Sequence, residues 1–198
     1  VLFCNGDIKG LADLKGKKVR TGNRTLAEFV EAFGGTGVTL AFNEVVPALQ
    51  NKVVDCAITG TLSGNSAKWY EVATHIYALP LGWSHVMHGV NVKTWDKLDP
   101  KVKSFLTAEI KGLEDRIWKA AAEETQQGYD CNAGKDNCKL GTKAKMTVVP
   151  VTEADKALLK KAMSETVVPK WAARCTGDCV PAWNDSIGKI VGITSKAN

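Results

Sequence analysis

Residues 1–60 alternate short apolar segments with helix-like stretches, and this alternation constrains the fold more than any other feature of the chain. Gly34 and Gly35 are placed to end the first helix-like stretch. The pattern predicts an opening strand through residue 8, strands over 17–21, 38–42 and 53–59, and helices over 25–33 and 44–51. Such an order of strands and helices is typical of an α/β fold with a mainly parallel sheet flanked by helices.

The second half of the chain is dominated by one long amphipathic helix. Apolar residues recur every three or four positions after Pro100, which predicts a helix over about 100–129 with a length of roughly 45 Å. A helix of that length exceeds one compact lobe, so we expect it to bend or to bridge two lobes. The remaining predictions are a turn-rich loop over 60–66, a helix over 68–76, an extended strand over 79–92, a strand over 145–151, a helix over 152–173 and a last helix from 181.

Three residues stand at the carboxyl ends of neighbouring predicted strands: Arg20, Phe42 and Thr59. Ligands of open α/β sheets bind at the carboxyl ends of the strands, so we expect these residues to meet at one crevice. A guanidinium there favours an anion as the ligand. The pattern alone also allows Arg20 to be a surface arginine that ends a strand, and Phe42 to be an ordinary core aromatic.

Composition and motifs argue against several other classes of protein. The chain has 198 residues, 44% of them hydrophobic, which suffices for a sizeable core. Its net charge of +5 is dispersed and lacks the aromatic interleaving of a nucleic-acid binder, so no nucleic-acid partner is expected. No nucleophile elbow, phosphate loop or dinucleotide fingerprint occurs, and His85 and His88 would face opposite sides of a strand. We therefore predict neither an enzyme nor a cofactor or metal site.

The six cysteines divide into two kinds. Cys131 with Cys138, and Cys175 with Cys179, flank short polar segments and are interpreted as two local disulfides; a zinc site is the competing interpretation. Cys4 and Cys56 lie in apolar segments and are interpreted as buried small hydrophobes. Disulfides would place the protein in an oxidising compartment.

Four separated motifs carry a family resemblance: LKGKKVR at 14–20, FNEVVPALQ at 42–50, VD at 54–55 and KWYEV at 68–72. In this order and spacing the chain resembles the substrate-binding proteins of tripartite ATP-independent periplasmic (TRAP) transporters, of the C4-dicarboxylate-binding type. The resemblance implies a lobe like that of type II periplasmic binding proteins, formed by 1–83 and 130–198. It also implies that 84–129, a crossing strand and a long spine helix, belong with a second, N-terminal lobe that is largely absent from this chain.

The resemblance assigns roles to individual residues. Arg20 matches the arginine that forms a two-pronged salt bridge with the ligand carboxylate, and Phe42 matches a side chain that packs on the ligand. Glu44 is either a ligand contact or a carboxylate that stabilises the start of a helix. Trp83 and Ser84 lie where the crossing strand passes the cleft, although Trp83 is equally well interpreted as a core residue between lobes.

Thr59 departs from the family pattern, because many members have an asparagine at that place. A threonine lacks the second donor and the carbonyl acceptor of an amide. Together with Phe42 and Trp83, this substitution favours a monocarboxylate with an apolar or aromatic body as the ligand.

The function implied by the resemblance is solute capture. A periplasmic binding protein, made with a signal peptide in its precursor, would hold an organic acid by its carboxylate and deliver it to the membrane subunits of a TRAP transporter. The alternative is a ligand-sensing module of a receptor or regulator built on the same fold.

Overall fold

The computed structural model describes residues 1–84 and 86–195, and its strands form one six-stranded sheet in the order β3-β2-β4-β1-β5-β6. Strand β2 pairs in parallel with β3 and β4, and β5 pairs in parallel with β6. Strand β1 runs antiparallel to both of its neighbours, β4 and β5. The predicted mainly parallel sheet is confirmed, with one antiparallel strand inside it. The strands are β1 (Leu2–Cys4), β2 (Lys18–Thr21), β3 (Thr36–Thr39), β4 (Cys56–Ile58), β5 (His75–Tyr77) and β6 (Thr147–Val149).

Helices flank the sheet, and side chains fix where several of them begin. Asn23 Oδ1 accepts the N–H of Leu26 at the start of α1, and Asp99 Oδ1 accepts the N–H of Lys101 at the start of α5. A π-helical turn, Met163–Val167, joins α6 to α7. The helices are α1 (Arg24–Ala32), α2 (Val45–Gln50), α3 (Thr61–Ser66), α4 (Val92–Asp96), α5 (Pro100–Asn132), α6 (Glu153–Ala162), α7 (Val168–Arg174), α8 (Cys179–Asp185) and α9 (Ile187–Val191).

The sheet separates two hydrophobic cores. Strand β1 shows the division, because Leu2 and Cys4 join one core while Phe3 joins the other. Successive strand residues point to opposite faces, so a strand buried on both faces must be apolar throughout. The second core also contains Trp69, which packs edge-on against Phe3 with ring centroids 5.4 Å apart.

Two predictions around residue 65 are wrong. The turn-rich segment 60–66 contains helix α3, because contacts distant in sequence stabilise it: Asn65 donates to the Asn132 side chain and to the Thr142 carbonyl. The predicted helix over 68–76 is instead a 3-10 turn, Trp69–Glu71, followed by β5. Lys68 has a left-handed backbone, φ 59°, which interrupts any continuous helix there.

The predicted extended strand over 79–92 is also wrong in the part of the segment that the structure describes, which excludes His85. No strand follows β5 before β6 in the described residues, and α4 begins at Val92. The sequence alternates apolar and polar residues here, but no strand among the described residues pairs with this segment. His88 is exposed, and the predicted arrangement of His85 with it lies outside the described residues.

The structure contains both predicted disulfides, Cys131–Cys138 and Cys175–Cys179. The interpretation of Cys4 and Cys56 as free hydrophobes is wrong, because they form a third disulfide. These two residues face each other in register across β1 and β4, with Cα atoms 4.0 Å apart. The bond closes a loop across 52 positions, which is expected to stabilise the fold by about 4 kcal/mol.

The predicted long helix is confirmed as α5, which has 33 residues and a length of about 50 Å. Its last turns are buried against α3, whereas most of its length is exposed. Across residues 1–84 and 86–195, no helix combines the length and the apolar composition needed to cross a membrane.

Candidate functional site

The site is built around Arg20 on β2, the strand that lies between β3 and β4. Two carbonyl groups hold the guanidinium: that of Leu40, just after β3, and that of Ile58, the last residue of β4. The Leu40 carbonyl accepts from Nε at 3.1 Å and from Nη2 at 3.0 Å, and the Ile58 carbonyl accepts from Nη1 at 3.2 Å. The parallel pairing of three strands therefore fixes the orientation of this side chain.

The guanidinium of Arg20 retains unused hydrogen-bonding capacity. An arginine has five N–H donors, and three of them are used by the carbonyls of Leu40 and Ile58. One N–H on each terminal nitrogen is left for a ligand, and a carboxylate accepts from two such groups in a two-pronged contact.

The charge of Arg20 also lacks a counterion. Its side chain is buried, with 7% of the residue exposed, and no carboxylate within residues 1–84 or 86–195 forms a salt bridge with it. Burial lowers the pKa of Arg20, but a guanidinium stays protonated at neutral pH. A buried cation without a partner is costly, so an anionic ligand would be bound favourably here.

Phe42 lies beside this guanidinium. The Arg20 Cζ atom is 5.8 Å from the centre of the Phe42 ring, which in turn packs on buried Trp69 with centroids 5.2 Å apart. Phe42 is nevertheless 43% exposed. The predicted strand over 38–42 ends earlier, at Thr39, and Phe42 begins a 3-10 turn that leads into α2. This turn leaves the Phe42 ring partly exposed to a ligand.

A cleft of about 570 Å³ opens next to Phe42. Helix α3 contributes one wall of the cleft. The contact between α3 and α5 holds the other wall, which contains Glu124, in place. The Thr61 hydroxyl donates to the Thr125 carbonyl at 2.8 Å, and Asn132 Nδ2 donates to the Thr61 carbonyl at 3.0 Å. The residues that line the cleft are Phe42, Thr59, Leu62, Ser63, Ser66, Ala67 and Glu124.

Thr59 and Glu44 have different surroundings. Thr59 lines the cleft, and its hydroxyl has no hydrogen bond within the part of the chain that the structure describes. Glu44 instead accepts the N–H of Ala41 through Oε2 at 2.8 Å, immediately before α2. Its carboxylate therefore stabilises the turn that presents Phe42.

Trp83 and Ser84 do not line the cleft in this structure. Trp83 is 78% exposed, and Ser84 is exposed as well. Both residues lie in a described stretch without regular secondary structure that follows β5. The structure thus places Phe42 and Thr59 in the cleft wall and Arg20 beside Phe42, although Arg20 itself is not among the residues that line the cleft. Trp83 and Ser84 lie apart from the cleft wall.

Sequence reasoning missed Ser63, Ser66 and Glu124. The two serines were hidden by the prediction of a loop over 60–66; on a helix they lie three residues apart and share a face. Glu124 is one of several exposed charged residues of α5, so nothing local marks it. Only the packing of α5 on α3 brings it to the cleft. Among the described residues, no group of three or more His, Cys, Asp or Glu side chains is placed to hold a metal ion.

Known proteins of similar sequence are binding proteins. The family described as bacterial extracellular solute-binding protein, family 7, matches residues 3–173. The 2,3-diketo-L-gulonate-binding periplasmic protein YiaO of Escherichia coli (strain K12) is 28% identical over 125 residues, which are 62% of this chain and 38% of that protein.

Solved structures share the fold. A TRAP periplasmic solute binding protein from Desulfovibrio salexigens, with bound orotic acid, has a TM-score of 0.71 and 21% identity, covering 96% of this chain and 57% of its own. One from Sulfitobacter sp. NAS-14.1, with bound beta-D-galacturonate, has a TM-score of 0.70 and 20% identity, covering 96% and 58%. The chain therefore spans little more than half the length of these structures.

The match to the family covers most of the chain, from β1 through α7, and includes Arg20, Phe42 and Thr59. The chain belongs to family 7 of the bacterial extracellular solute-binding proteins.

Proposed function

We propose that this protein captures an organic acid by binding its carboxylate to Arg20. Arg20 would fix the acid end of the ligand, the exposed face of Phe42 would pack on its body, and Thr59 would offer one hydrogen bond. Two of these features need no change of structure, since the guanidinium is already oriented and the cleft is already open. A preorganised site loses less entropy when it binds its ligand.

The observation that carries the proposal is the buried guanidinium, which forms no salt bridge with any carboxylate of the described residues. Its two unused N–H groups match the two oxygens of a carboxylate, whereas a lysine could offer only a point charge. Relatives with this fold bind organic acids, among them orotic acid and beta-D-galacturonate. Those ligands support the class of compound proposed here and no particular member of it.

A second lobe would complete the cleft. Residues 1–83 and 130–198 would form the ligand-binding lobe, and 84–129 would belong with a lobe that covers the exposed apolar side chains of that segment. Met87, at 90% exposed, and Phe105, at 64% exposed, support this assignment, because large apolar side chains in such numbers normally contact another surface. Closure of two lobes would then shift the population of a state that already exists.

The closed, loaded protein would act in the periplasm and deliver its ligand to the membrane subunits of a TRAP transporter. Three disulfides support an oxidising compartment. Membership of an extracellular solute-binding family supports the same location. The comparisons give no support to the alternative of a sensing module.

Calorimetric titration of the full-length protein tests the proposal. Succinate, benzoate, galacturonate and orotate are the probes, and the tightest of them is then titrated into Arg20→Lys. We expect binding at least about tenfold weaker, because one bidentate charged contact is lost. Arg24→Lys is the matched control, since Arg24 is largely exposed and pairs with Glu28; its affinity should not change.

The methyl ester of the same acid provides a test that does not depend on the folding of any variant. The ester retains the ligand's body but loses the carboxylate charge, so it should bind far more weakly. Equal affinities for acid and ester would refute the proposal that Arg20 binds the ligand carboxylate. An Arg20→Lys variant that folds and binds normally would refute it as well.

A further inference from the structure

We propose that Glu124 sets the selectivity of the cleft: it excludes a second carboxylate on the ligand and accepts a hydrogen-bond donor in its place. This inference rests on the proposed function, because it concerns the end of the ligand opposite the carboxylate bound by Arg20. The expected ligand is a monocarboxylate that carries a hydroxyl or ammonium group on its body. The proposal thus names the class of acid that the site takes.

The position of Glu124 is fixed by the backbone on which it stands. It precedes Thr125, whose carbonyl accepts the Thr61 hydroxyl at 2.8 Å. One turn later, Gly128 lies so close to Thr61 and Leu62 that a Cβ atom at this position would overlap them. The close approach of α5 to α3 therefore holds Glu124 at the rim of the cleft, facing the same space as Phe42.

The charge of Glu124 is not neutralised by a neighbour. Some other carboxylates of α5 are paired, namely Asp115 with Lys111 at 2.6 Å and Asp130 with Lys135 at 3.2 Å. No salt bridge or hydrogen bond of the Glu124 side chain occurs within residues 1–84 and 86–195. A second carboxylate on the ligand would meet this uncompensated negative charge, and like charges across a binding site disfavour the complex.

The remaining polar groups of the cleft suit hydroxyl or ammonium groups. The hydroxyls of Thr59, Ser63 and Ser66 all line it, and none has a hydrogen bond to another described residue. A hydroxyl can both donate and accept. Three unused hydroxyls and one carboxylate thus form a polar wall, while Phe42, Leu62 and Ala67 supply the apolar one.

The test uses ligands that differ only at one end. Butyrate, γ-hydroxybutyrate, γ-aminobutyrate and succinate share a four-carbon chain, and benzoate, para-hydroxybenzoate, para-(aminomethyl)benzoate and terephthalate form a longer set. The full-length protein is titrated with each by calorimetry. In at least one set, we expect the dicarboxylate to bind about tenfold more weakly than the matched hydroxy acid.

Glu124→Gln should remove this selectivity while the protein folds normally, since the residue is exposed. We expect the dicarboxylate to gain about tenfold in affinity, the ammonium ligand to lose about tenfold, and the hydroxy acid to lose no more than about threefold. Glu123→Gln is the matched control, because Glu123 is exposed on the same helix but does not line the cleft. Its selectivity should equal that of the unmodified protein.

The outcomes separate this inference from the proposed function. Suppose that the acids bind through Arg20 but the affinity of the dicarboxylate equals or exceeds that of the hydroxy acid in both sets. The role of Glu124 is then refuted, while binding of the carboxylate by Arg20 is still supported. Unchanged ratios in Glu124→Gln would also refute it. If instead none of the acids binds in a manner that Arg20→Lys weakens, the proposed function itself fails. A gain by γ-aminobutyrate alone over butyrate, lost in Glu124→Gln, would identify the donor as an ammonium group.

Discussion

The two parts of helix α5 differ in a way that its sequence does not suggest. At the carboxyl end, the polar residues Gln127, Asp130 and Asn132 are buried. Along the middle, apolar side chains such as Phe105 and Ile117 are more than half exposed. Burial along one continuous helix is therefore decided by what packs against each turn, and hydropathy alone does not predict it.

The buried polar end serves the backbone of the loop that follows. Gln127 Oε1 accepts the N–H groups of Lys139 and Leu140, and its Nε2 donates to the Asn137 carbonyl. Asn65 Oδ1 accepts the N–H of Thr142. This loop forms no strand or helix of its own, so its peptide groups need hydrogen bonds from other parts of the described chain. The buried polar side chains at the end of α5 thus supply hydrogen bonds to the backbone of this loop.

The largest effect is expected from Asn132→Ala at the buried end. Asn132 donates to the carbonyls of Thr61 and Gly128 and accepts from Asn65. Removing the side chain leaves buried groups without partners, which should cost about 3 kcal/mol of unfolding free energy. Urea unfolding measures this change. A cost below about 1 kcal/mol would show that the network contributes little.

A smaller, pH-dependent effect is expected from Asp130→Asn. Burial alone would raise the pKa of Asp130, but hydrogen bonds from Lys135 and Gln126, the charge of Lys135 and a hydrogen bond from Asn137 outweigh it and hold the pKa below its ordinary value. A carboxyl with a lowered folded pKa stabilises the protein above its unfolded pKa, and this contribution disappears as the pH falls through the folded value.

The urea midpoint, measured between about pH 7 and about pH 3, tests this sign. The unmodified protein should exceed Asp130→Asn in stability at neutral pH, and the difference should shrink in acid. Asp178→Asn is the control, since Asp178 is exposed. A difference that stays constant or grows in acid would show that the charge of Asp130 is not stabilising.

The smallest effect is expected from Phe105→Ser in the exposed middle of α5. In the 198-residue chain, this substitution should change the unfolding free energy by less than about 0.5 kcal/mol. Phe29→Ser, in the sheet core, should cost several times more, because Phe29 is buried. A loss near about 3 kcal/mol for Phe105→Ser would mean that another surface covers it.

The sequence predicted elements that depend on local signals, and it did not predict features that depend on contacts distant in sequence. Local signals sufficed for β2, for α1, which ends at Ala32 shortly before Gly34, and for the length of α5. They also sufficed to place Arg20 near Phe42 and near the end of β4, because the order of parallel strands fixes which strand ends meet. Their shared role in binding a ligand stays a prediction.

Features that depend on distant contacts escaped prediction. Gly64 and Asn65 are typical of loops, yet α3 is stabilised by Asn132 and by the absence of a side chain at Gly64, where a Cβ atom would overlap the ring of Phe3. Cys4 and Cys56 pair only because β1 runs antiparallel to β4. Neither the identity of a residue nor the periodicity of the sequence shows which distant segments will come into contact. The position of Glu124 at the cleft could not be predicted for the same reason.

A crystal structure of the full-length protein with its tightest acid would show whether Arg20 binds the ligand carboxylate. We expect both carboxylate oxygens within hydrogen-bond distance, about 2.8 Å, of the two terminal nitrogens of Arg20. The carbonyls of Leu40 and Ile58 should keep their present contacts with the guanidinium. A ligand whose carboxylate lies elsewhere, with the two free N–H groups of Arg20 facing water or protein, would contradict it.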